Sequence, residues 1–410
     1  MNKFEQIINK IFIKGTAKSV LGLGITTTIG YGTLYYSISI MSEEISNYFL
    51  WSKSFIFGIL SLGILLGGLL APMVGKILDK YGARWIMSFG SLFCALGLVL
   101  LSYVQTKFQF VLAILFLEIV SILVLYEAAF IAFSQLAGVK ARLPIVQITL
   151  IAGFASTIFW PLITYLLTFF SWRDVYQILA LFHLFIALPI HFFVLKPNLI
   201  LGNKTLDNKN FNDCICLEGK HKKISLILLA ITFSFLAIPI TAMQTQFLAL
   251  FKGFGIEAAT AVALGALIGP SQVVARLLEL SFSKKITPLF TAIASTLLMS
   301  FGLIALIFSG YDYLIALLFV VLYGAGQGLS DIVRGVLPLY LFGNDGYGKT
   351  TGGLNLFRLI VTSMVPFGFA FLLESFGAKN ATIFLVVVTL IAVILLNIIK
   401  VSIKGAKIEA

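Results

Sequence analysis

The chain has 410 residues, of which 60% are hydrophobic and only 11% are charged, and its mean hydropathy is +1.04. Soluble proteins carry about a quarter charged residues, so this composition excludes the soluble class and predicts an integral membrane protein. The formal net charge of +12 does not indicate nucleic-acid binding, because all but eight of the 29 Lys and Arg residues lie in segments that alternate to one side of the predicted membrane. The eight are Lys53, Lys107, Arg173, Lys252 and Lys379 on the other side and Arg276, Arg334 and Arg358 within the apolar segments.

Apolar segments of about 20 residues or more, separated by charges and turn residues, predict twelve membrane-spanning helices. The sequence therefore predicts an all-α membrane protein. An even number of spans and a basic N-terminus place both termini in the cytoplasm, and the first apolar segment is too long for a signal-peptide core. The predicted spans are residues 19–41, 54–76, 84–104, 109–136, 143–170, 174–196, 224–249, 258–281, 287–309, 313–340, 351–374 and 380–400.

One long polar stretch, residues 197–223, divides the predicted spans six and six. We interpret it as a cytoplasmic linker between an N-terminal six-helix bundle, residues 1–196, and a C-terminal six-helix bundle, residues 224–410. A weak internal repeat agrees with this division, because the segment 75–79, GKILD, has a counterpart 200 residues later at 275–279, ARLLE.

A charged turn lies between the second and third predicted spans, in the segment 67–85, GGLLAPMVGKILDKYGARW. Gly75 allows close approach of another backbone, and Gly82 can adopt a positive φ in the chain reversal. Asp79, Lys80 and Arg84 can pair across the helix ends. The spacing resembles the loop signature G-x-x-x-D-[RK]-x-G-x-[RK] of the major facilitator superfamily, and the alternative is an ordinary short basic membrane turn.

The two halves, the linker and the segment 171–174, SWRD, strengthen the resemblance to a bacterial-type member of that superfamily. The resemblance implies alternating access, in which two six-helix bundles expose a central site to one side of the membrane and then to the other. It also implies that Gly75, Asp79, Lys80, Gly82 and Arg84 form a conformational gate that stabilises one orientation without touching substrate. We expect a monomer in the bacterial inner membrane, with the lipid bilayer as partner and no nucleic acid.

Ionisable side chains within spans are costly and therefore indicate functional positions. Asp331 and Arg334 share a helix face at i, i+3 spacing and are predicted to form an intramembrane ion pair. Glu127 is a candidate for proton coupling, with an ion pair to an arginine and a plain core contact as the alternatives. The other members of this set are Glu118, Arg276, Glu279 and Arg358.

Arg276 has two interpretations. In the 200-residue register it matches Lys76 and lies at the cytoplasmic mouth, whereas a register of 205 places it opposite Ala71 inside a cavity. The segment 273–276, VVAR, resembles the eighth-helix arginine segment of the monocarboxylate and oxalate/formate transporters, where that arginine faces the substrate carboxylate. Arg358 resembles the position of a cation in the same branch. Two converging guanidinium groups would match the oxygens of a carboxylate.

Softer polar side chains within the spans complete the predicted substrate site. Tyr31 and Tyr35 lie four residues apart on one helix face, where their hydroxyl groups can orient an anion, although helix packing is the alternative explanation. The eighth, tenth and eleventh spans contribute Gln272, Gln327 and Asn355. Gln272 stands where the resembling branch has an acid.

Other chemistry has weaker support in the sequence. Residues 343–350, GNDGYGKT, match the phosphate-binding loop pattern, but no strand precedes them and they join two predicted spans. Cys214 and Cys216 could bind a metal ion, but a four-ligand set is incomplete around them. We therefore predict no enzyme activity, no metal and no cofactor.

The sequence thus predicts a secondary active transporter for a small organic anion, coupled to protons or to anion exchange. The alternatives are an exporter of an amphipathic drug or metabolite, an importer of a carboxylate siderophore, and a non-transporting membrane receptor.

Overall fold

A computed structural model describes residues 13, 16–195, 214–282, 285–310 and 312–408. All regular secondary structure in these residues is helical, as predicted. The first part of the predicted linker, residues 197–213, lies outside the described residues, as do the basic residues at positions 3, 10, 14 and 284. The chain divides into two compact units, Met1–Asp213 with Asn344–Gly353, and Cys214–Gly343 with Leu354–Ala410.

The first unit contains ten α-helices and two π-helical segments within its described residues. The first π-helical segment is Tyr31–Tyr36 and the second is His183–Ala187. Gly138–Ala141 forms a 3-10 turn. The α-helices are α1 Ala17–Gly30, α2 Ser37–Phe49, α3 Lys53–Tyr81, α4 Ala83–Ser102, α5 Lys107–Ser121, α6 Tyr126–Ala137, α7 Arg142–Ala152, α8 Ala155–Leu167, α9 Trp172–Phe182 and α10 Leu188–Val194.

The second unit contains the remaining helices, although the start of the last helix, up to Gly353, groups with the first unit. Gly377, with φ of 77°, interrupts the last helix and allows the chain to change direction there. The helices are α11 Gly219–Gly253, α12 Ala258–Ala266, α13 Ile268–Phe282, α14 Pro288–Ile307, α15 Tyr313–Phe342 and α16 Tyr347–Ile408.

Nine helical segments among the described residues are long and apolar enough to cross a membrane. Two of them, Lys107–Leu167 and Tyr347–Ile403, have 61 and 57 residues. A helix needs about 20 residues to cross the hydrocarbon core of a bilayer. The prediction of an integral membrane protein built from apolar helices is therefore confirmed.

The predicted fourth span is a broken helix. Helix α5 ends at Ser121 and α6 begins at Tyr126, and turn residues 122–125 separate them. This break places Glu127 in the first turn of α6 rather than in the middle of a continuous helix. The apolar composition of the segment concealed the break, because the segment contains no glycine or proline to indicate it.

Helix α15 packs between α13 and α14 in the second unit. Gly328 of α15 faces α13 so closely that an added Cβ would lie 2.8 Å from the Cα of Gln272. Such an approach brings the side chains on either side of the contact within hydrogen-bonding distance. The apolar core beside it includes Phe251, Phe319 and Tyr323, whose hydroxyl group donates to the carbonyl of Pro239 at 3.0 Å.

The described end of the predicted linker packs against the end of α15. Cys214 and Cys216 form a disulfide in the structure. The backbone N–H groups of Ile215 and Leu217 donate to the carbonyls of Tyr340 and Leu341, both at 2.8 Å. These bonds attach the linker to the second unit from Cys214 onward.

Candidate functional site

The glycines of the loop signature adopt the geometry predicted for them. Gly82 has φ of 80° and ends helix α3, with its N–H bonded to the carbonyl of Leu78 at 2.9 Å. Gly75 lies against the backbone of Gly348, and an added Cβ would collide with the Gly348 carbonyl oxygen. The predictions of a positive φ at Gly82 and of close backbone approach at Gly75 are confirmed.

The side chain of Asp79, on α3, caps the N-terminus of helix α16. Its carboxylate oxygens accept hydrogen bonds from the backbone N–H groups of Gly348 at 3.0 Å and Lys349 at 2.9 Å. A helix N-terminus has unpaired N–H groups and a partial positive charge, so it favours an anion. The carboxylate therefore neutralises the helix end, and all three residues belong to the first unit.

The same contact shows what binds to residues 343–350, the segment that matches the phosphate-binding loop pattern. Gly348 and Lys349 supply the glycine and the lysine of that pattern, and their backbone N–H groups hold the carboxylate of Asp79. The segment joins α15 to α16 and includes the first turn of α16, and it follows a helix rather than the strand that a nucleotide-binding loop requires. Its backbone thus binds an anion that the protein itself provides.

Arg84 and Lys80 have other neighbours. Arg84 donates from Nε to the carbonyl of Phe192 at 2.8 Å, and its guanidinium lies 4.5 Å from the centre of the Phe192 ring. It thereby joins the start of α4 to α10 within the first unit. The Nζ of Lys80 lies 5.0 Å from the centre of the Tyr81 ring. Asp79, Lys80 and Arg84 thus each have a separate partner among the described residues, in place of the pairing with one another that the sequence predicted.

Gln135 also belongs to this loop, although the sequence pattern did not single it out. Its Oε1 accepts from the N–H of Ala83 at 3.0 Å, and its Nε2 donates to the carbonyl of Leu78 at 2.8 Å. The side chain therefore satisfies backbone groups on both sides of the turn between α3 and α4. An amide side chain near the end of an apolar segment was the only signal that could have indicated it.

Aromatic side chains surround the break before α6. The rings of Tyr31 and Tyr35 lie 6.2 Å apart, and the ring of Tyr31 lies 4.7 Å from that of Tyr126. Tyr126 in turn stacks on Phe130 at 5.3 Å. The structure thus brings Tyr31 next to the first turn of α6, which carries Glu127, and Tyr35 contacts the ring of Tyr31. A carboxylate in the first turn of a helix is favoured by the unpaired N–H groups there.

A group of three charges connects α13 and α15 in the second unit. Asp331 accepts from Nη2 of Arg276 at 2.6 Å through Oδ2 and from Nη2 of Arg334 at 2.8 Å through Oδ1. Arg276 also donates from Nε to the carbonyl of Gly328 at 3.1 Å and lies 3.4 Å from Oε1 of Gln272. We call Arg276, Asp331 and Arg334 the charge triad.

The triad combines two guanidinium groups with one carboxylate, and Glu279, buried one turn after Arg276 on α13, is a second acid on that helix. Arg276 is only 2% exposed, whereas Asp331 and Arg334 are 20% and 19% exposed. Arg276 lies six residues before the last residue of α13, Phe282, and its partner lies within α15. The predicted ion pair and one of the two predicted anion contacts are therefore parts of one group.

The remaining predicted site residues lie on α15 and α16. Arg358 donates from Nε to Oδ1 of Asn355 at 3.0 Å, one turn earlier in α16. Gln327 is half-buried on α15, next to Gly328. Among the described residues, no group of three or more His, Cys, Asp or Glu side chains is arranged to hold a metal ion.

Comparison with known proteins identifies the family. The family model described as "Major Facilitator Superfamily" matches residues 23–366. No curated protein matches the chain.

Solved structures of transporters share the fold. The proton:xylose symporter XylE, bound to 6-bromo-6-deoxy-D-glucose, matches with a TM-score of 0.69 and 15% identity over 92% of this chain and 94% of that chain. A double tryptophan mutant of XylE has a TM-score of 0.74 at 14% identity, with the same coverages. The human organic anion transporter MFSD10 has a TM-score of 0.64 at 16% identity, over 92% of this chain and 98% of that chain.

Proposed function

Because this chain belongs to the major facilitator superfamily, we propose that it is a secondary active transporter that moves a small organic anion by alternating access. The family membership and the fold of the transporters XylE and MFSD10 support the transporter class. The charge triad carries the substrate proposal, because it places the guanidinium groups of Arg276 and Arg334 among apolar helices. A guanidinium group matches the two oxygens of a carboxylate.

The exposed part of the triad is the part available to a substrate. Arg276 is enclosed by Gly328, Gln272 and Asp331, so it contributes charge without offering an open surface. Asp331 and Arg334 retain about a fifth of their exposure. We therefore assign the direct contact with the anion to Arg334, and to Arg276 the task of balancing Asp331.

Arg358 and the polar side chains near it extend the proposed site on the second unit. Oδ1 of Asn355 accepts a hydrogen bond from Nε of Arg358 and so orients its guanidinium group. Both residues lie on α16. Gln272 and Gln327 add amide groups that can bond to carboxylate or hydroxyl oxygens. These contacts would distinguish anions by the position of their second polar group.

Two schemes of coupling fit the proposed cargo. In anion exchange, a second anion replaces the first at the triad, and no proton is needed. In proton coupling, Glu127 takes up a proton when the site faces one side and releases it at the other. Glu127 follows Tyr126, whose ring contacts Tyr31, and this position in the first turn of α6 supports its inclusion in the site on the first unit.

We also propose twelve membrane crossings, with both termini in the cytoplasm and two six-helix halves. The segments Lys107–Leu167 and Tyr347–Ile403 each have the length of two crossings. Helices α1 and α2 with the first π-helical segment supply one more, from Ala17 to Phe49. The excess of Lys and Arg in alternate loops supports a cytoplasmic position for those loops. A monomer in a bacterial inner membrane is also part of this proposal.

Uptake into proteoliposomes tests the substrate class. Purified protein is reconstituted and supplied with a panel of ¹⁴C-labelled mono- and dicarboxylates, under an inward proton gradient or with internal unlabelled anion. We expect at least one carboxylate to accumulate, and Arg334→Gln and Arg358→Gln each to reduce its uptake by about tenfold or more, which corresponds to about 1.4 kcal/mol.

Lys252→Gln is the matched control, because it removes one positive charge from an exposed position at the end of α11. It should leave uptake unchanged. Absence of flux for every carboxylate under both driving forces, or full activity of Arg358→Gln, would show that the substrate proposal is wrong.

A second candidate is export of an amphipathic solute, and the aromatic rings of the first unit favour it. Tyr31, Tyr126 and Phe130 form a run of ring contacts next to an acid, Glu127, which would suit an organic cation. Tetraphenylphosphonium uptake into inverted vesicles tests this alternative. The human protein MFSD10 is an organic anion transporter, and at 16% identity it shares the fold without assigning a substrate to this chain.

A further inference from the structure

Two histidines of the first unit are completely buried, and each contacts a threonine of the first predicted span. Nε2 of His183 lies 2.7 Å from Oγ1 of Thr33, and Nε2 of His191 lies 2.9 Å from Oγ1 of Thr26. The side chains of both histidines are 0% exposed. Histidines are rare within membrane spans and usually have a task there. Both pairs join a histidine ring nitrogen to a threonine hydroxyl group. His191 contacts the α-helix α1, whereas His183 contacts the first π-helical segment.

His191 contacts regular helix and is fully satisfied. Thr26 lies within α1, and the other ring nitrogen of His191, Nδ1, contacts Ser91 at 2.8 Å and the carbonyl of Met87 at 3.1 Å. Both nitrogens of His191 thus have partners, as expected for a packing contact between helices. This pair serves below as the reference for the other one.

His183 instead joins the two π-helical segments of the unit. It is the first residue of the second segment, and Thr33 lies in the first. The Thr33 hydroxyl group donates to the carbonyl of Ile29 at 2.8 Å, so it accepts from Nε2–H of His183. Nδ1 of His183 then has no hydrogen-bond partner among the described residues. Among the described residues, the contact with Thr33 is thus the one hydrogen bond of the His183 ring.

The π-helical geometry determines which side chains share a face. In a π-helix the hydrogen bonds run from residue i to i+5, so residue 36 lies above residue 31. Tyr31, Tyr35 and Tyr36 are therefore brought to one side, and the rings of Tyr35 and Tyr36 lie 5.5 Å apart. In an α-helix Tyr36 would point well away from Tyr31.

The opposite side of this segment is anchored. Thr33 is 0% exposed and bound to His183, while Tyr35 on the other side is 39% exposed. The ring of Phe159 on α8 packs against the backbone of Gly32, and an added Cβ on Gly32 would overlap that ring. The buried side of the segment is thus held by His183 and Phe159, and the tyrosines extend from the other side.

We propose that His183 is a positioning residue, which holds the π-helical turn through Thr33 and so sets Tyr31, Tyr35 and Tyr36 on one face to contact the organic part of the transported solute. The inference rests on the proposed transport function for the identity of the solute. The chemistry of the face, ring surfaces with hydroxyl groups at their edge, suits a carbon skeleton that carries hydroxyl or keto groups.

The orientation of Tyr35 tests the proposal without any substrate. Tyr35→Cys is introduced into a background with Cys94→Ala, Cys214→Ser and Cys216→Ser, and the protein in nanodiscs is labelled with a methanethiosulfonate reagent. Thr33→Val, which removes the hydroxyl group, should change the labelling rate at least about fivefold. Thr33→Ser retains the hydroxyl group and should stay within about twofold of the parent rate.

The matched control is Thr26→Val, because it removes the equivalent threonine hydroxyl group from the His191 pair. It should also stay within about twofold. An unchanged rate in Thr33→Val, an equal change in Thr26→Val, or a parent in which the cysteine is not labelled would each overturn the proposal. Should Thr33→Val fail to yield monodisperse protein, His183→Gln replaces it, with the same expected result.

Transport provides the second measurement. For a carboxylate accepted in the uptake panel, Thr33→Val should raise KM about tenfold at a largely retained maximal rate, whereas Thr26→Val should change neither. A general loss of packing would lower the maximal rate in both variants, and that result would count against positioning. If no carboxylate is transported but the labelling result holds, the substrate proposal fails and the role of His183 stands.

Discussion

Nη2 of Arg276 lies 2.6 Å from Oδ2 of Asp331, although the two residues are 55 positions apart and lie on different helices. The second oxygen of the same carboxylate binds Arg334 at 2.8 Å. Asp331 is therefore the acid between two guanidinium groups, and its removal would leave both cations without this counter-charge. This arrangement makes Asp331 the residue of the triad on which stability depends most.

Asp331→Asn should lower the free energy of unfolding by about 3–5 kcal/mol, because the buried guanidinium of Arg276 loses the carboxylate of Asp331. Thermal unfolding in detergent, followed by intrinsic fluorescence, measures the change. Arg334→Gln removes the more exposed partner and should have a smaller effect. The double variant Arg276→Met with Asp331→Leu should recover most of the lost stability, and a double variant as unstable as Asp331→Asn would contradict this account.

Asp79→Ala should loosen the start of α16, because the N–H groups of Gly348 and Lys349 lose their acceptor. Loss of a capping carboxylate costs about 1 kcal/mol, so hydrogen exchange of these two amides should accelerate about fivefold. Mass spectrometry of peptides that cover residues 344–353 measures the exchange. Lys80→Gln is the control, because Lys80 contacts the Tyr81 ring instead, and equal acceleration in this variant would refute the capping role.

Gly75→Ala should displace the same helix end by steric contact with the Gly348 carbonyl oxygen. We expect a lower unfolding temperature and faster exchange in residues 344–353. Gly58→Ala is a matched control on the same helix, because nothing lies within 4 Å of an added Cβ there. It should be neutral or stabilise by up to about 1 kcal/mol, as alanine favours helix over glycine. Equal behaviour of the two variants would rule out the close contact.

Glu127→Gln should separate the two coupling schemes. If Glu127 carries the proton, this variant loses uptake driven by a proton gradient but retains exchange of labelled for unlabelled anion. Glu118→Gln is the control, because Glu118 lies on α5, in the same predicted span, against Gly63. Proton-driven uptake that survives in Glu127→Gln would show that the carrier lies elsewhere or that the protein is an anion exchanger.

Several features of the fold were predicted from local sequence. Apolar segments predicted a helical membrane protein, because the free energy of placing a helix in lipid is summed over its own side chains. The geometry of Gly75 and Gly82 followed from the loop signature in the same way. The i, i+3 spacing of Asp331 and Arg334 also sufficed to place them together, since neighbours on one helix need no tertiary contact.

Other features depended on residues far apart in the chain. The sequence could not show that Asp79 binds an N–H group 269 residues away. It also could not show that the segment matching the phosphate-binding loop pattern holds this carboxylate. It also did not indicate the break before Tyr126 or the two π-helical segments. Local apolar composition is the same in a straight and in an interrupted helix, so only packing against neighbouring helices distinguishes them.

By itself, then, the sequence determined the class of the protein, its helical character and the signature of its family, because these depend on hydropathy and on short-range spacing. The tertiary structure decided the electrostatic partners. It placed Arg276 against Asp331, Asp79 on the start of α16 and His183 against Thr33. Each of these contacts requires two helices to approach within hydrogen-bonding distance, and that approach is set by the packing of whole helices.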